Sequence, residues 1–249
     1  MIIDVPRSTD ALRKLWKQAF GDTDAFLDCF FSRAFSPARC RCLYKDDTLA
    51  AMLYWFDCQW EGKRLAYLYA VATDETYRGQ GLCRALMEDT HNHLHSLGYD
   101  GSILVPRTEK LFAMYEKMGY STCSGVREFI CTAGSSIPLR QISTVEYAAL
   151  RQQYLPLGGV VQEGATLALL ETYCTFHAGE DVLLATYVDE GKLTVCELLG
   201  GPDSAPGIVS SLGHTEGKIR TPGKEKPFAM YHSLTEDPAA PSYFGLALD

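Results

Sequence analysis

The sequence predicts an α/β protein: a mixed, mostly antiparallel central sheet flanked by helices over residues 1–135, followed by a second, smaller acidic α/β domain over residues 136–249. Three observations predict it. Two amphipathic stretches precede three aromatic-rich ones, a glycine-rich turn joins the last of these to a helical stretch, and the opening pattern recurs past the small-residue linker AGSSIP.

The first helix is read over Asp10 to Phe20, where Leu12, Leu15, Trp16 and Phe20 recur close to 3.6-residue spacing, with Ser8 or Asp10 as cap. A second runs from Asp22 or Asp24 through Ala34 and stops before Pro37. Strands follow at Cys40 to Lys45, Leu49 to Trp60 and Leu65 to Thr73, separated by the turn sequences KDDT and EGKR, which makes an antiparallel meander. Gln80 to Leu97 is helical and ends at Gly98. Gly101 to Val105 reads as a short buried strand, Glu109 to Met118 as a helix and Val126 to Thr132 as a strand. In the second half, helices at Val145 to Tyr154 and Thr166 to Phe176 precede strands at Val182 to Val188 and Leu193 to Leu199, an ααββ order again, at an offset of about 135 residues. The region that follows, GGPDSAPGIVSSLG, has prolines in place of a phosphate-type turn, and the tail segments KPFAMYHSL and YFGLALD read as strands.

Composition narrows the function. The chain has 249 residues, 47% of them hydrophobic, enough for two cores and unlike a disordered chain. No apolar run approaches a membrane span and the N-terminus lacks a signal-like pattern, so membrane and export are not expected. Nine cysteines, an odd number without C-x-x-C spacing, fit reduced core thiols and a cytoplasmic setting. Residues 1–135 carry 16 Lys and Arg against 17 Asp and Glu; residues 136–249 carry 7 against 14. A net charge of -8 without a basic stripe argues against nucleic acid as partner.

The segment LAYLYAVATDETYRGQGLCRALM places strand, glycine-rich turn and helix start in that order. Amides around Gly79 to Cys83 and the helix dipole would face an anion, Gly79 and Gly81 let the backbone approach it, and Arg78 and Arg84 add charge. There is no G-K-[ST] for a nucleotide P-loop, and a dinucleotide fingerprint would need small residues where Arg84 or Leu86 stand. A purely structural glycine turn is the bland alternative. YRGQGLCRAL resembles the Q/R-x-x-G-x-G/A pyrophosphate motif of the GNAT superfamily, matched at Arg78 and Gly81, with Cys83 where Gly or Ala is usual. The resemblance covers about residues 1–133 and implies that acetyl-CoA is the acyl donor. Its pantetheine arm would pair with the strand edge at Val71 to Thr73, and its pyrophosphate would lie on Gly79, Gln80, Gly81, Leu82, Cys83 and Arg84, beside Arg78.

Further on, EKLFAMYEKMGY resembles the family's late helix, although Thr108 stands where Asn is frequent. The resemblance assigns Tyr115 as the acid that protonates the leaving thiolate, a role worth about 10² to 10⁴ in rate; its structural alternative is helix-to-sheet packing. An ammonium of pKa about 10.4 costs about 4 to 5 kcal/mol to deprotonate at pH 7, so a base or water chain is required. Asp57, Asp74 and Glu75 are weak candidates, better read as solvated carboxylates, and Tyr67 and Tyr69 alternate onto one strand face as relay or core. His91 and His95 share a helix face but His93 does not, so no metal is expected. Cys40 and Cys42 read as buried packing.

The expected function is acetyl transfer from acetyl-CoA to a primary amine of a small molecule or protein by direct attack in a ternary complex. A non-catalytic acyl-CoA-binding or sensing module is the alternative, and aminoacyl transfer, as in tandem GNAT-like peptidyltransferases, a third reading. The second half resembles a degenerate GNAT-like repeat. In the enhanced intracellular survival group the terminal carboxylate takes part in catalysis, which would put Asp249 in that role here. The acceptor, the acyl group and the oligomeric state, a homodimer included, stay open.

Overall fold

The computed structural model describes residues 1–248. Strand β1 (Ile2–Asp4), which the sequence reading does not contain, opens the chain. Helix α1 (Thr9–Phe20) is capped by Ser8, whose side chain accepts from the Ala11 amide, and ends at Gly21 in the left-handed conformation. Helix α2 (Asp24–Arg33) is capped in the same way by Thr23. The meander follows as β2 (Cys40–Lys45), β3 (Thr48–Trp60) and β4 (Lys63–Thr73), then α3 (Leu82–Ser96), β5 (Gly101–Leu104), α4 (Glu109–Glu116) and β6 (Ser121–Thr132).

The second half begins with β7 (Arg140–Ile142), α5 (Thr144–Tyr154), β8 (Val161–Gln162) and α6 (Ala165–Leu170). The helix expected over Thr166 to Phe176 is therefore shorter. Past Leu170 the exposure of Thr175, Phe176, His177 and Ala178 alternates, and these residues form β9 (Thr175–Ala178) against the next strand. β10 (Val182–Asp189), β11 (Lys192–Gly200), α7 (Ala205–Ser211), β12 (Glu216–Pro222) and β13 (Lys226–Ser233) complete the chain's regular elements. The proline-bearing GGPDSAPG region starts α7, with Pro206 in its first turn, where a missing amide costs nothing.

The sheet order is β1-β2-β3-β4-β5-β13-β6-β12-β11-β10-β9-β7, with β8 alongside β3. That order is symmetric about the β13/β6 pair. β4 pairs with β5 in parallel, as β11 does with β12, and each parallel pair brackets a helix, α3 or α7. The closing strands are exchanged: β13 lies on β5 and β6 lies on β12. Apolar residues of both halves, from Trp16 and Phe30 to Leu183 and Phe244, share one core cluster.

Of the expected strand YFGLALD, the described residues 243–248 do not form one. Residues 243–248 run as buried coil whose backbone groups are taken largely by side chains. Ser124 Oγ accepts from the Phe244 amide at 3.0 Å, and Gln162 both donates to the Leu246 carbonyl (2.6 Å) and accepts from its amide (3.2 Å). The anchor of this segment is a fully buried ion pair. Arg151 donates through Nε and Nη2 to the two oxygens of Glu197 (2.7 and 2.9 Å), which also accept from Tyr147 (2.6 Å) and Tyr243 (3.0 Å). The guanidinium beside it and these hydrogen bonds hold Glu197 below the usual carboxylate range against the opposing effect of burial.

A second buried polar group ties α3 to β13. The His91 ring stacks on His232 (4.4 Å between centroids, 13° apart), and its Nε2 lies 2.8 Å from the Tyr120 hydroxyl, which meets Ser102 Oγ at 2.7 Å. Burial, with a smaller contribution from His232, pushes His91 down to about 3.

Two outcomes are expected. Arg151→Met leaves a buried carboxylate without its counter-ion and should cost about 3–5 kcal/mol in urea unfolding. His91 binds its proton less well folded than unfolded, so its contribution to stability is fully present above about pH 6.5 and is lost as pH falls toward 3. Unfolding measured between pH 7 and 4 should show a slope of at most about 1.36 kcal/mol per pH unit from this group, absent in His91→Gln.

Candidate functional site

β4 carries the site because it is bulged. Met52 pairs with Ala72 and Tyr54 with Tyr69, so Ala70 and Val71 stand opposite the single residue Leu53. Ala70 adopts φ 52°, an uncommon conformation for a residue with a Cβ. The bulge lies where β4 leaves its parallel neighbour: the β4–β5 register runs from Leu65 to Tyr67 and no further. Beyond Tyr67 the two strands part, and the gap opens into a cleft of about 500 Å³.

The glycine turn follows this strand edge directly. Asp74 caps a 3-10 turn over Glu75–Tyr77, accepting from the Thr76 amide at 2.9 Å. Gly79 and Gly81 both have φ 76°, and a Cβ at either would meet nothing within 4 Å, so backbone conformation rather than space demands glycine there. The first bond of the α3 ladder runs from the Ala85 amide to the Gly81 carbonyl (3.1 Å). The amides of Leu82, Cys83 and Arg84 therefore precede the ladder at the positive end of a 15-residue helix.

The sequence-selected residues fall into two groups. Val71 and Tyr115 line the cleft. Arg78, Gly79, Gln80, Gly81 and Arg84 are exposed on the turn and the first turn of α3, Leu82 is buried, and Thr73 and Cys83 are half-buried. Arg78 Nε donates to the Thr73 carbonyl (3.2 Å), Gln80 accepts from Lys45 (2.7 Å), and Arg84 donates to the Lys117 carbonyl (2.9 Å) beyond α4, tying the turn to the helix that bears Tyr115. Burial pushes the Cys83 thiol up to about 11, which keeps it a neutral thiol at neutral pH.

Tyr115 is 6% exposed, and among the described residues nothing hydrogen-bonds its hydroxyl. Its ring packs edge-on against Tyr120, 5.7 Å between centroids. Burial raises its pKa, so it stays a protonated donor across the neutral range.

The three weak base candidates lie elsewhere: Asp57, Asp74 and Glu75 do not line the cleft. Asp57 is not a solvated loop carboxylate but a mid-strand one, bonded to Arg39 and Tyr99, with Arg64 beside it. His91 meets Tyr120 and His232, whereas His93 lies edge-on to Trp55. Cys40 and Cys42 are buried, their sulfurs 3.9 Å apart. Tyr67 and Tyr69 both line the cleft, and the Tyr67 hydroxyl accepts from the Leu248 amide at 3.2 Å, so the second half's tail reaches the N-terminal half's cleft. Asp249 lies outside the described residues.

Reading the sequence for motifs missed the opposite wall. Trp16, Phe20, Asp22 and Phe26 come from α1, α2 and their connection, and Tyr173, Tyr187 and Asp189 from the second half. The aromatic density of WKQAFGDTDAF was the available signal for the first group. The second had none, because only the tertiary fold brings it there.

The bulge is open to a direct test. Ala70→Gly should leave stability within about 1 kcal/mol, since glycine adopts φ 52° freely, while Ala70→Val should cost about 1–3 kcal/mol in denaturant unfolding.

The pattern of an acetyltransferase (GNAT) domain family matches residues 6–123. No protein of curated function matches the sequence. Among solved structures, a GCN5-related N-acetyltransferase from Kribbella flavida superposes with a TM-score of 0.67 at 16% identity, over 94% of this chain and 72% of that one. A GCN5-related N-acetyltransferase from Anabaena variabilis gives 0.69 at 15%, over 94% and 73%. Eis1 from Mycobacterium abscessus gives 0.69 at 12%, over 94% and 74%. At these identities the superpositions establish the fold, and they extend across both halves. The strand bulge and the glycine turn both fall inside residues 6–123, the stretch that matches the acetyltransferase (GNAT) domain family.

Proposed function

We propose that the protein transfers an acetyl group from acetyl-CoA to a primary amine by direct attack in a ternary complex. The observation that carries this reading is Tyr115, which lines the cleft together with Val71 of β4 and whose hydroxyl has no hydrogen-bond partner among the described residues. The turn suits the donor's pyrophosphate. Two glycines at φ 76°, the unladdered amides of Leu82, Cys83 and Arg84, and the cations of Arg78 and Arg84 form an anion site of the helix-terminus type. Val71 and Thr73 on the edge of β4 are the positions for the pantetheine arm, and Gly79, Gln80 and Gly81 those closest in sequence to the phosphates.

The donor supplies an already activated thioester, so the chain's task is largely placement. In the reaction the C–S bond breaks, a C–N bond forms, and the proton released by nitrogen ends on sulfur. Tyr115 is assigned as the donor to that sulfur, its own proton replaced from the amine. The aromatic interior of the cleft assists the other proton transfer. Moving an ammonium from water to apolar surroundings lowers its pKa and favours the neutral nucleophile. Residues 136–249 supply Tyr173, Tyr187 and Leu248 to the acceptor side.

Thiol release across a panel of amines is the test, with wild type, Tyr115→Phe and Gly81→Glu compared. Tyr115→Phe should lower kcat at least tenfold with CoA affinity unchanged. Gly81→Glu places a side chain at φ 76° and a negative charge at the helix start, and should weaken CoA binding at least tenfold. In wild type the rate should rise with pH as the amine deprotonates. Tyr115 should impose no alkaline fall below about pH 10, because an acid with a raised pKa keeps its proton as pH rises. CoA binding without turnover on any amine would favour an acyl-CoA-sensing module instead.

A further inference from the structure

The walls of the cleft are chemically uneven. Trp16 is the hub of a chain of ring contacts. It meets Tyr69 at 5.5 Å, Phe20 at 5.8 Å and Phe26 at 6.4 Å between centroids. Phe26 meets Tyr173 at 6.4 Å and Tyr173 meets Tyr187 at 6.3 Å, so the chain of rings crosses from α1 and α2 into the second half. Two carboxylates interrupt this wall. Asp22 holds the Trp16 indole N–H at 2.7 Å through one oxygen, and Asp189 is exposed at the end of β10. Neither has a cationic partner among the described residues, although both line the cleft. Among the described residues the lining contains one cation, Arg107, which comes from the β5–α4 connection that also supplies Val105 and Pro106.

We propose that the acceptor side of the cleft selects an amine carried on an aromatic or bulky apolar body, with Asp22 and Asp189 attracting its cation and the Trp16-to-Tyr187 wall taking the body. This deepens the acetyl-transfer reading and rests on it for the fate of the amine. Ring faces attract cations through their quadrupole, and a wall of rings releases water when an apolar body covers it. Carboxylates without a cationic partner at the cleft raise the local concentration of cations there.

Binding can be read apart from chemistry by using benzyltrimethylammonium, a quaternary cation that cannot be acetylated. Calorimetry on the full chain should show it binding at least tenfold more tightly than tetramethylammonium or benzyl alcohol. Asp22→Asn keeps an oxygen for the Trp16 N–H and removes only the charge. It and Asp189→Asn should each weaken the quaternary ligand at least threefold and leave benzyl alcohol unchanged. In thiol release, 2-phenylethylamine should exceed ethylamine at least tenfold in kcat/KM. Equal binding of tetramethylammonium, or indifference to both charge removals, overturns the proposal, as does ethylamine turned over as efficiently as 2-phenylethylamine, a result that leaves acetyl transfer standing. The expected binding pattern with no turnover of any amine supports the cationic cleft and overturns acetyl transfer instead.

Discussion

The Arg151–Glu197 pair is the constraint on which the second half depends. Both groups are withdrawn from water, Arg151 to 2% and Glu197 to 0% exposure, and a charge so placed costs several kcal/mol unless it is compensated. Compensation is close to complete: the carboxylate accepts from the guanidinium, Tyr147 and Tyr243, and the guanidinium gives two further donors to the Val160 carbonyl and to Gln162. The partners come from four stretches of chain, α5, the segment leading through β8, β11 and the tail, so the pair fixes their mutual registration more than it adds net stability. Gln162 carries the constraint onward by gripping Leu246 at both its amide and its carbonyl. The result is a tail whose Leu248 amide meets the Tyr67 hydroxyl in the cleft.

Strand exchange works in the same direction on a larger scale. Had β6 closed on β5 and β13 on β12, each half would have had its own sheet with exposed edges. With β13 between β5 and β6, and β6 between β13 and β12, the interior edges vanish into a single sheet. The exchange also fixes how the two halves face one another. The cleft, whose walls come from both halves, inherits its shape from that pairing.

The site separates into a local part and a collective one. The glycine turn and the helix start are contiguous in sequence, and their geometry follows from Gly79, Gly81 and the α3 dipole. The bulge at Ala70 is also local but reveals itself only through its partner, since Leu53 faces two residues of β4. The aromatic wall of the cleft is collective throughout. Trp16 is positioned by packing on Phe30 and Tyr69, and by Asp22, while Tyr173 and Tyr187 arrive through β9 and β10 lying at the far side of the joined sheet.

The sequence by itself determined the elements whose signal is local. Periodicity and caps placed α1, α2, α3 and α5 to within a residue or two, aromatic runs bounded by turn residues placed β2 through β4, and the glycine-turn spelling marked the strand–turn–helix junction ahead of α3. It failed where an apolar run has two uses. The stretch from Thr166 to Phe176 splits into α6 and β9 because β10 offers Phe176 and Ala178 a pairing partner, and residues 243–248, patterned like a strand, stay coil because side chains of Ser124 and Gln162 already take backbone groups there. The placement of β13 between β5 and β6, the bulge, and the aromatic wall with its two carboxylates were decided only by the tertiary structure. These features consist of contacts between residues tens to more than a hundred positions apart, and neither spacing nor composition along the chain records which distant partner a strand, a ring or a charge will meet.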